Sequence, residues 1–395
     1  MNILHLSPGD ALASGITDYS ARFRASLRAT DVTVEHLDIT VTARRFNSRS
    51  DVVAYAAAAD VAWRKGFDIV HAEFGGGSMR EFYAARRLAK LGAPVVATLH
   101  DPPGLIWWPF NVSVVRRRLP LRGIVTTLTS RKARTLELDT LRMLARPVVL
   151  SHTGARALDA RWGEPIGAEV IPFSAPLFDP SLSRSQDTTS IVVGFHGFRY
   201  GGTGLGDLLD AVAALASDGI RIEIHILGCR GGSGPRGRPA ESLDDALAKR
   251  GIASTAEVLG YVGIDKLGQE LRRCDVIVLP RSQSRRTPGI ASVSAAIWDA
   301  QAAGIPVIAT RVRASAEQIE HGVDGLIVPE KDQEALRLAI KRFALDPQLR
   351  SALRGGAEIK AMRIDRSAPG LAALAVYRDV LGRERSTSPH DPPDI

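Results

Sequence analysis

The sequence predicts an α/β chain of two doubly wound domains, and three observations predict it. At 395 residues the chain exceeds what one ordinary core accommodates. Short β-rich runs alternate with amphipathic segments through both halves. A polar stretch with no hydrophobic period, "DPSLSRSQDTTS", separates the halves.

In the first half the strand candidates are "MNILHLSP", "VTVEHLDI", "FDIVHAEF", "APVVATLHD", "GIVTTLT", "RPVVLSH" and "AEVIPFS". A glycine-containing loop and the helical segment "TDYSARFRASLRA" follow the first of them. The second half offers "SIVVGFH", "RIEIHILG", "AEVLGYV", "DVIVLP", "IPVIAT" and "GLIVP" as strands. Between these, "GDLLDAVAALASDG", "SLDDALAKRG", "DKLGQELRRC", "ASVSAAIWDAQAAG" and "SAEQIEHG" carry the helical period, and several end at Gly, which closes a helix without a Cβ penalty. The expected domains are therefore residues 1–178 and 191–366, joined by a linker over 179–190. A tail over 383–395 carries too little apolar surface to pack. Ligands of such sheets bind outside the carboxyl ends of the strands, so the active site is expected in an interdomain cleft.

A composition of 45% hydrophobic and 24% charged residues excludes a disordered or fibrous chain. Two cysteines, Cys229 and Cys274, without C-x-x-C spacing exclude a disulfide framework. The N-terminal apolar run is too short for a signal peptide and no run is long enough to span a bilayer, which points to a cytoplasmic protein. A formal charge of +8 favours anionic partners such as phosphates and lipid headgroups; nucleic acid is not expected. There is no D-x-D pair, no H-E-x-x-H and no Cys/His cluster with ligand spacing, so no metal is expected. The G-x-G at Gly202 and Gly204 lacks the full dinucleotide fingerprint, so no nicotinamide or other cofactor is expected.

Several blocks, specific through their order and spacing, resemble the retaining glycosyltransferases of the glycosyltransferase-4 type. They are "SPGDALASGITDYSARFRASL", "FDIVHAEF", "VVATLHD", "VVLSH" with "VIPFS", "VLGYVGIDKLGQELRRCDVIVLP", "DAQAAGIPVIAT" and "EQIEHGVDGLIVPEKDQEAL". The resemblance implies the GT-B architecture, two facing Rossmann-like domains with an N-terminal acceptor domain and a C-terminal donor domain. It implies a helix over about residues 367–382 that crosses back to the N-terminal domain. It also implies a UDP- or GDP-linked sugar as co-substrate and a saccharide or lipid-linked hydroxyl as acceptor.

Each candidate residue has a chemical reading and a plainer one. Gly15, between the first strand and helix, lets a phosphate approach backbone N–H groups, or is an ordinary turn glycine. His100, with Asp101, ends a strand; the resemblance puts it near the reacting sugar carbon. His71 ends a similar run and reads first as structural, with the acceptor side as its functional alternative. A departing nucleotide diphosphate builds negative charge and needs cations or N–H donors aimed at it. The family supplies an Arg and a Lys in the loop after the first strand of the C-terminal domain. Here Arg199 is displaced by one position and Thr203 stands where Lys is usual.

The family also pairs two glutamates eight positions apart, and these map to Ala291 and Asp299. One carboxylate is therefore missing; Asp299 remains as the ribose anchor, and Ser292 or Ser294 offers a hydroxyl near the gap. Arg281, Arg285 and Arg286 stand just upstream, either as solvated loop residues or as a replacement diphosphate grip. A helix opening over Gly289 to Ser294, including Ile290, would aim free N–H groups at sugar or phosphate. Tyr261 and Val262 mark the nucleobase region. Trp107, Trp108 and Phe110 interleaved with Arg116, Arg117, Arg118 and Arg122 suit a peripheral contact on the inner membrane face, or an internal helix pair. The leading expectation is a metal-independent retaining hexosyltransferase serving polysaccharide or glycolipid synthesis. The alternatives are a catalytically silent binding or partner subunit of the same fold, motivated by the replaced Glu and Lys, and a sugar-nucleotide epimerase.

Overall fold

The structure, a computed structural model, describes residues 1–9, 15–38, 48–106, 122–178, 190–197, 204–228, 242–283 and 290–387, with backbone only at 122–130 and 383–387. Eight candidate residues lie outside that set: Trp107, Trp108, Arg117, Arg199, Thr203, Arg285, Arg286 and Gly289. Contacts divide the chain into two compact units. One comprises Met1–Ser174, Ile290–Ser292 and Arg366–Ile395; the other comprises Ala175–Gly289 and Val293–Asp365.

The first unit runs β1 (Asn2–Leu6), α1 (Gly15–Arg28), β2 (Thr33–His36), α2 (Arg49–Trp63), β3 (Ile69–Phe74), α3 (Met79–Lys90), β4 (Val95–Leu99), α4 (Arg122–Met143), β5 (Arg146–Val149), α5 (His152–Trp162) and β6 (Glu169–Val170). Its six strands are parallel in the order β2-β1-β3-β4-β5-β6. Every residue of β3 and β4 is buried, as a parallel sheet covered by helices on both faces requires. Leu4, Leu6, Val70, Phe74, Phe82 and Leu99 form part of the core. Capping is legible from the residue types: Ser48 and Asp51 form a capping box on α2, and Ser151 accepts from the Gly154 N–H at the start of α5.

The second unit runs β7 (Ile191–His196), α6 (Leu205–Ser217), β8 (Ile222–Leu227), α7 (Leu243–Lys249), β9 (Ala256–Gly260), α8 (Ile264–Arg272), β10 (Val276–Leu279), α9 (Ala295–Ala302), β11 (Val307–Thr310), α10 (Ser315–Gln318), β12 (Gly325–Val328), α11 (Gln333–Leu345) and α12 (Pro347–Met362). Its six strands are parallel in the order β12-β11-β10-β7-β8-β9. The last helix, α13 (Ala368–Thr387), belongs to the first unit and packs on α1. There the Gly370 N–H donates to the Ser26 hydroxyl at 2.6 Å, and Arg146 pairs with Asp379 at 2.7 Å.

Two parallel α/β sheets are the expected fold, and the order of neighbours locates their ligand edges. A doubly wound sheet opens a crevice at the carboxyl ends of the two strands where the order reverses. In the first unit these are β1 and β3; in the second they are β7 and β10.

The structure corrects several local readings. "GIVTTLT" is not a strand but lies in the 22-residue α4. A short apolar, β-branched run has no period of its own that separates strand from helix. "AEVIPFS" contributes only the two residues of β6. "SAEQIEHG" forms just the four residues of α10 before its chain turns extended. Nor does the helix before Gly304 open over Gly289 to Ser294: α9 begins at Ala295, and Ser294 is extended with φ −99° and ψ 113°. The reason is Gln318, whose side chain accepts from the Ser294 N–H at 2.8 Å and donates to the Ser294 carbonyl at 3.0 Å. Both backbone groups of Ser294 are thus bonded to one amide side chain.

Candidate functional site

In the first unit, residues from β1, β3, β4 and α1 converge at the carboxyl edge of the sheet. Gly15 is the first residue of α1, and open space surrounds the position a Cβ would take there, so packing does not demand a glycine. At Gly75, just past β3, a Cβ would stand 2.2 Å from the Ile16 Cδ1 atom, so a larger residue would displace the end of that side chain. The glycine lets the start of α1 lie close over the strand end. His100 follows β4 and is anchored at three points. Its N–H donates to the Phe74 carbonyl at 2.8 Å, its Nε2 meets Glu73 Oε2 at 2.7 Å, and the Tyr19 ring stands edge-on at 4.8 Å. Asp101 turns away to accept the Gly76 N–H at 3.2 Å.

Glu73 is fully buried and holds two histidines, because its other oxygen, Oε1, meets His5 Nε2 at 3.0 Å. Burial works to raise its carboxyl, but hydrogen bonds from His100 and His5, with the nearby histidine charges, hold it well below the usual carboxylate range. His71, read first as structural with the acceptor side as its alternative, is fully buried. Its Nε2 bonds the Thr98 hydroxyl at 2.8 Å and its Nδ1 bonds the Tyr377 hydroxyl of α13 at 2.7 Å. Burial lowers His71 to about 3 against the pull of Glu73.

In the second unit the carboxyl edge brings together β7, β10, α9 and the segment after β11. His196 ends β7 and its Nε2 meets Asp299 Oδ2, on α9, at 3.1 Å; both residues are buried. Asp299 therefore carries a histidine partner. Arg281 follows β10, and its carbonyl accepts from the Thr310 hydroxyl at the end of β11. Among the described residues its Nε atom is buried with no hydrogen-bond partner, and burial together with the charge of Arg313 lowers it to about 10. Arg313 itself is held at φ 55°, a left-handed conformation that costs a non-glycine residue energy and marks positions that the surroundings over-determine. Ile290, Ala291 and Ser292, which are grouped with the first unit, are buried. Tyr261 is exposed and Val262 half-buried just after β9.

Sequence reasoning missed Glu73, His5, His196, Arg313 and Tyr377. Two of these left a signal. "HAEF" places His71 and Glu73 on the same face of a strand, and "GFH" ends a strand in histidine as "TLH" does at His100.

Comparison with known proteins bears on the second unit above all. Residues 190–346 match the family model for Glycosyl transferases group 1. A D-inositol 3-phosphate glycosyltransferase of Saccharomonospora viridis is 32% identical over 183 residues, covering 46% of this chain and 41% of that protein. The chain thus matches less than half the length of that relative. Among solved structures, sucrose-phosphate synthase from Thermosynechococcus elongatus superposes with a TM-score of 0.70 at 18% identity, over 97% of this chain and 100% of that one. HepE of Anabaena, in complex with UDP-glucose, superposes with a TM-score of 0.67 at 16% identity, over 98% of this chain and 100% of that one. At such identities the structures bear on the fold, while the family match bears on the sequence of the second unit. Residues 190–346 are thus similar in sequence to a Glycosyl transferases group 1 domain, and the chain as a whole has a two-unit α/β fold of the GT-B type.

Proposed function

We propose that the protein is a retaining glycosyltransferase that moves a sugar from a nucleotide diphosphate sugar to a hydroxyl of a saccharide or lipid-linked acceptor. The observation that carries this reading is the family match over the second unit, whose ligand edge holds a half-buried arginine, Arg281. Arg281, with Arg199, Arg285 and Arg286, supplies positive charge to the leaving diphosphate. Asp299 takes the ribose hydroxyls, and His196 behind it orients the shorter side chain. Gly15 admits the diphosphate to the first turn of α1, and His100 contacts the donor sugar. Tyr261 and Val262 border the base. In the reaction the bond from the anomeric carbon to the diphosphate breaks and the bond to the acceptor oxygen forms on the same face. The acceptor proton passes to the departing phosphate oxygen, so positioning and charge stabilisation are the protein's contribution.

HepE is described with UDP-glucose and the Saccharomonospora relative by its action on D-inositol 3-phosphate. UDP-linked hexoses and phosphorylated polyols are accordingly the first donors and acceptors to try, alongside lipid-linked saccharides. Metal independence rests on the missing D-x-D pair, and a cytoplasmic, membrane-peripheral location rests on the sequence over residues 107–122. Among the described residues no helix is long and apolar enough to cross a membrane.

Isothermal calorimetry with UDP and GDP, followed by a donor panel scored for transfer and donor hydrolysis with EDTA present, tests the reading. One nucleotide should bind, Arg281→Met should weaken it by at least about 10-fold, and the product anomer should match the donor. Binding of neither nucleotide, with no turnover, sinks the enzymatic reading. It would favour the silent subunit, for which the specific observation is Ala291 in place of a carboxylate.

A further inference from the structure

We infer that Glu73 is a positioning residue for His100: it fixes the imidazole with Nε2–H toward the carboxylate and Nδ1 as a lone pair for a ligand hydroxyl. The use made of Nδ1 rests on the function proposed above; the fixing of the ring does not. Alternation along β3 puts His71 and Glu73 on one face, and register places His5 beside His71 and Thr98 beside Glu73. A carboxylate and two histidines therefore meet inside a sheet whose other β3 residues, Ile69, Val70, Ala72 and Phe74, are apolar and buried. Such a cluster is costly to bury, and apolar side chains of similar volume would serve stability as well.

The carboxylate sets the direction of its own two bonds. An ionised carboxylate only accepts, so the Nε2 atoms at 3.0 Å and 2.7 Å, from His5 and His100, must both carry hydrogen. A neutral His100 then has no hydrogen on Nδ1. His5, His71, Glu73 and Tyr377 are buried completely, whereas the His100 side chain retains 9% exposure. His100 is thus the member of the cluster that reaches the edge of the sheet. Behind it, burial keeps the Tyr377 hydroxyl protonated and His71 neutral at ordinary pH. The Tyr377 hydroxyl is hydrogen-bonded to His71 Nδ1 at 2.7 Å, and His71 Nε2 to the Thr98 hydroxyl at 2.8 Å. Helix α13 is thereby tied to the strand that carries Glu73.

The same donors could instead be metal ligands, since one atom each from His5, His71 and Glu73 lies within 4.8 Å of the others. The hydrogen-bonded reading accounts for every contact just named without an ion. Metal analysis of the purified protein decides between them.

The decisive measurement is the ring nitrogen spectrum of the ligand-free, 15N-labelled protein, which assigns each histidine tautomer independently of any activity. His100 should be the Nε2–H tautomer in the native protein and a mixture of tautomers in Glu73→Gln, where an NH2 donor replaces one of the two oxygens that accept from His5 and His100. A native Nδ1–H tautomer, an unchanged tautomer in Glu73→Gln, or stoichiometric metal on the native protein would each overturn the inference. The first and last need no variant, so a misfolded Glu73→Gln leaves the test intact. Where turnover is measurable, Glu73→Gln should lower kcat by about 10- to 100-fold, the usual cost of removing a carboxylate behind a functional histidine. The donor KM should hold within about two-fold, and Glu73→Asp should recover part of the loss. A tautomer shift without turnover in the native protein would retain the positioning role and reject the proposed reaction.

Discussion

His71 and Glu81 pull the stability of the first unit in opposite directions as pH changes. His71 is depressed by burial from 6.5 to about 3. As pH falls through 6.5 the unfolded chain takes up a proton that the folded protein refuses, so stability is lost from there down to about 3. Glu81 is raised by burial from 4.5 to about 7, with Arg80 opposing at 3.5 Å. The folded protein keeps that proton while the unfolded chain releases it, so stability is lost as pH rises from 4.5 to about 7. Each slope is at most about 1.4 kcal/mol per pH unit, and between 4.5 and 6.5 the two offset. Glu81→Gln should therefore stabilise the protein by on the order of 2 kcal/mol at pH 8 and by little near pH 4.5. Urea unfolding at the two pH values measures this; an equal gain at both would show that Glu81 is not held protonated. None of this was legible beforehand, because "MREFYAARR" shows a charged pair and not its burial.

At the scale of elements, the turn from β7 into α6 is built on a forced glycine. Gly204 sits at φ 84°, and a Cβ there would stand 1.9 Å from the Pro280 carbonyl oxygen at the end of β10. A Cβ at Gly206, the second residue of α6, would meet nothing within 4 Å. Gly204→Ala should cost about 2–4 kcal/mol through strain and displacement of Pro280. Gly206→Ala should be neutral or stabilising by up to about 1 kcal/mol. Thermal unfolding of the two variants checks the pair, and similar costs would mean that the turn relaxes freely. Most strands were readable because β-rich runs such as "FDIVHAEF" and "DVIVLP" are short and bounded by turn residues. "GIVTTLT" was misread because a short apolar, β-branched run has no period of its own that separates strand from helix. The opening of α9 was misplaced for a different reason: Gln318, 24 residues away, holds Ser294 extended.

At the scale of the whole molecule, the first unit is completed by the last helix. Gly370 lies so close to α1 that a Cβ would stand 2.3 Å from the Ser26 carbonyl oxygen. Gly370→Val should lift α13, break the Tyr377 to His71 bond and loosen β1, β3 and α1. The second unit, with its own core around Phe195, Leu208, Ile226 and Val278, should be unaffected. Hydrogen exchange should rise by at least about 10-fold in the first unit, the equivalent of about 1.4 kcal/mol of opening free energy. It should be unchanged over residues 242–283. A uniform rise in both units would show that they unfold together.

The sequence by itself determined the two-sheet α/β architecture, most strand positions and the strand-end histidine His100, because hydrophobic period and turn residues are local properties written in order along the chain. It also carried the family match over residues 190–346. The tertiary structure alone decided which polar groups meet: Glu73 with His5 and His100, His71 with Tyr377 across 306 positions, and Asp299 with His196 across 103. Alternation tells which face of a strand a side chain takes, whereas its neighbours on that face depend on strand order, register and the return of α13.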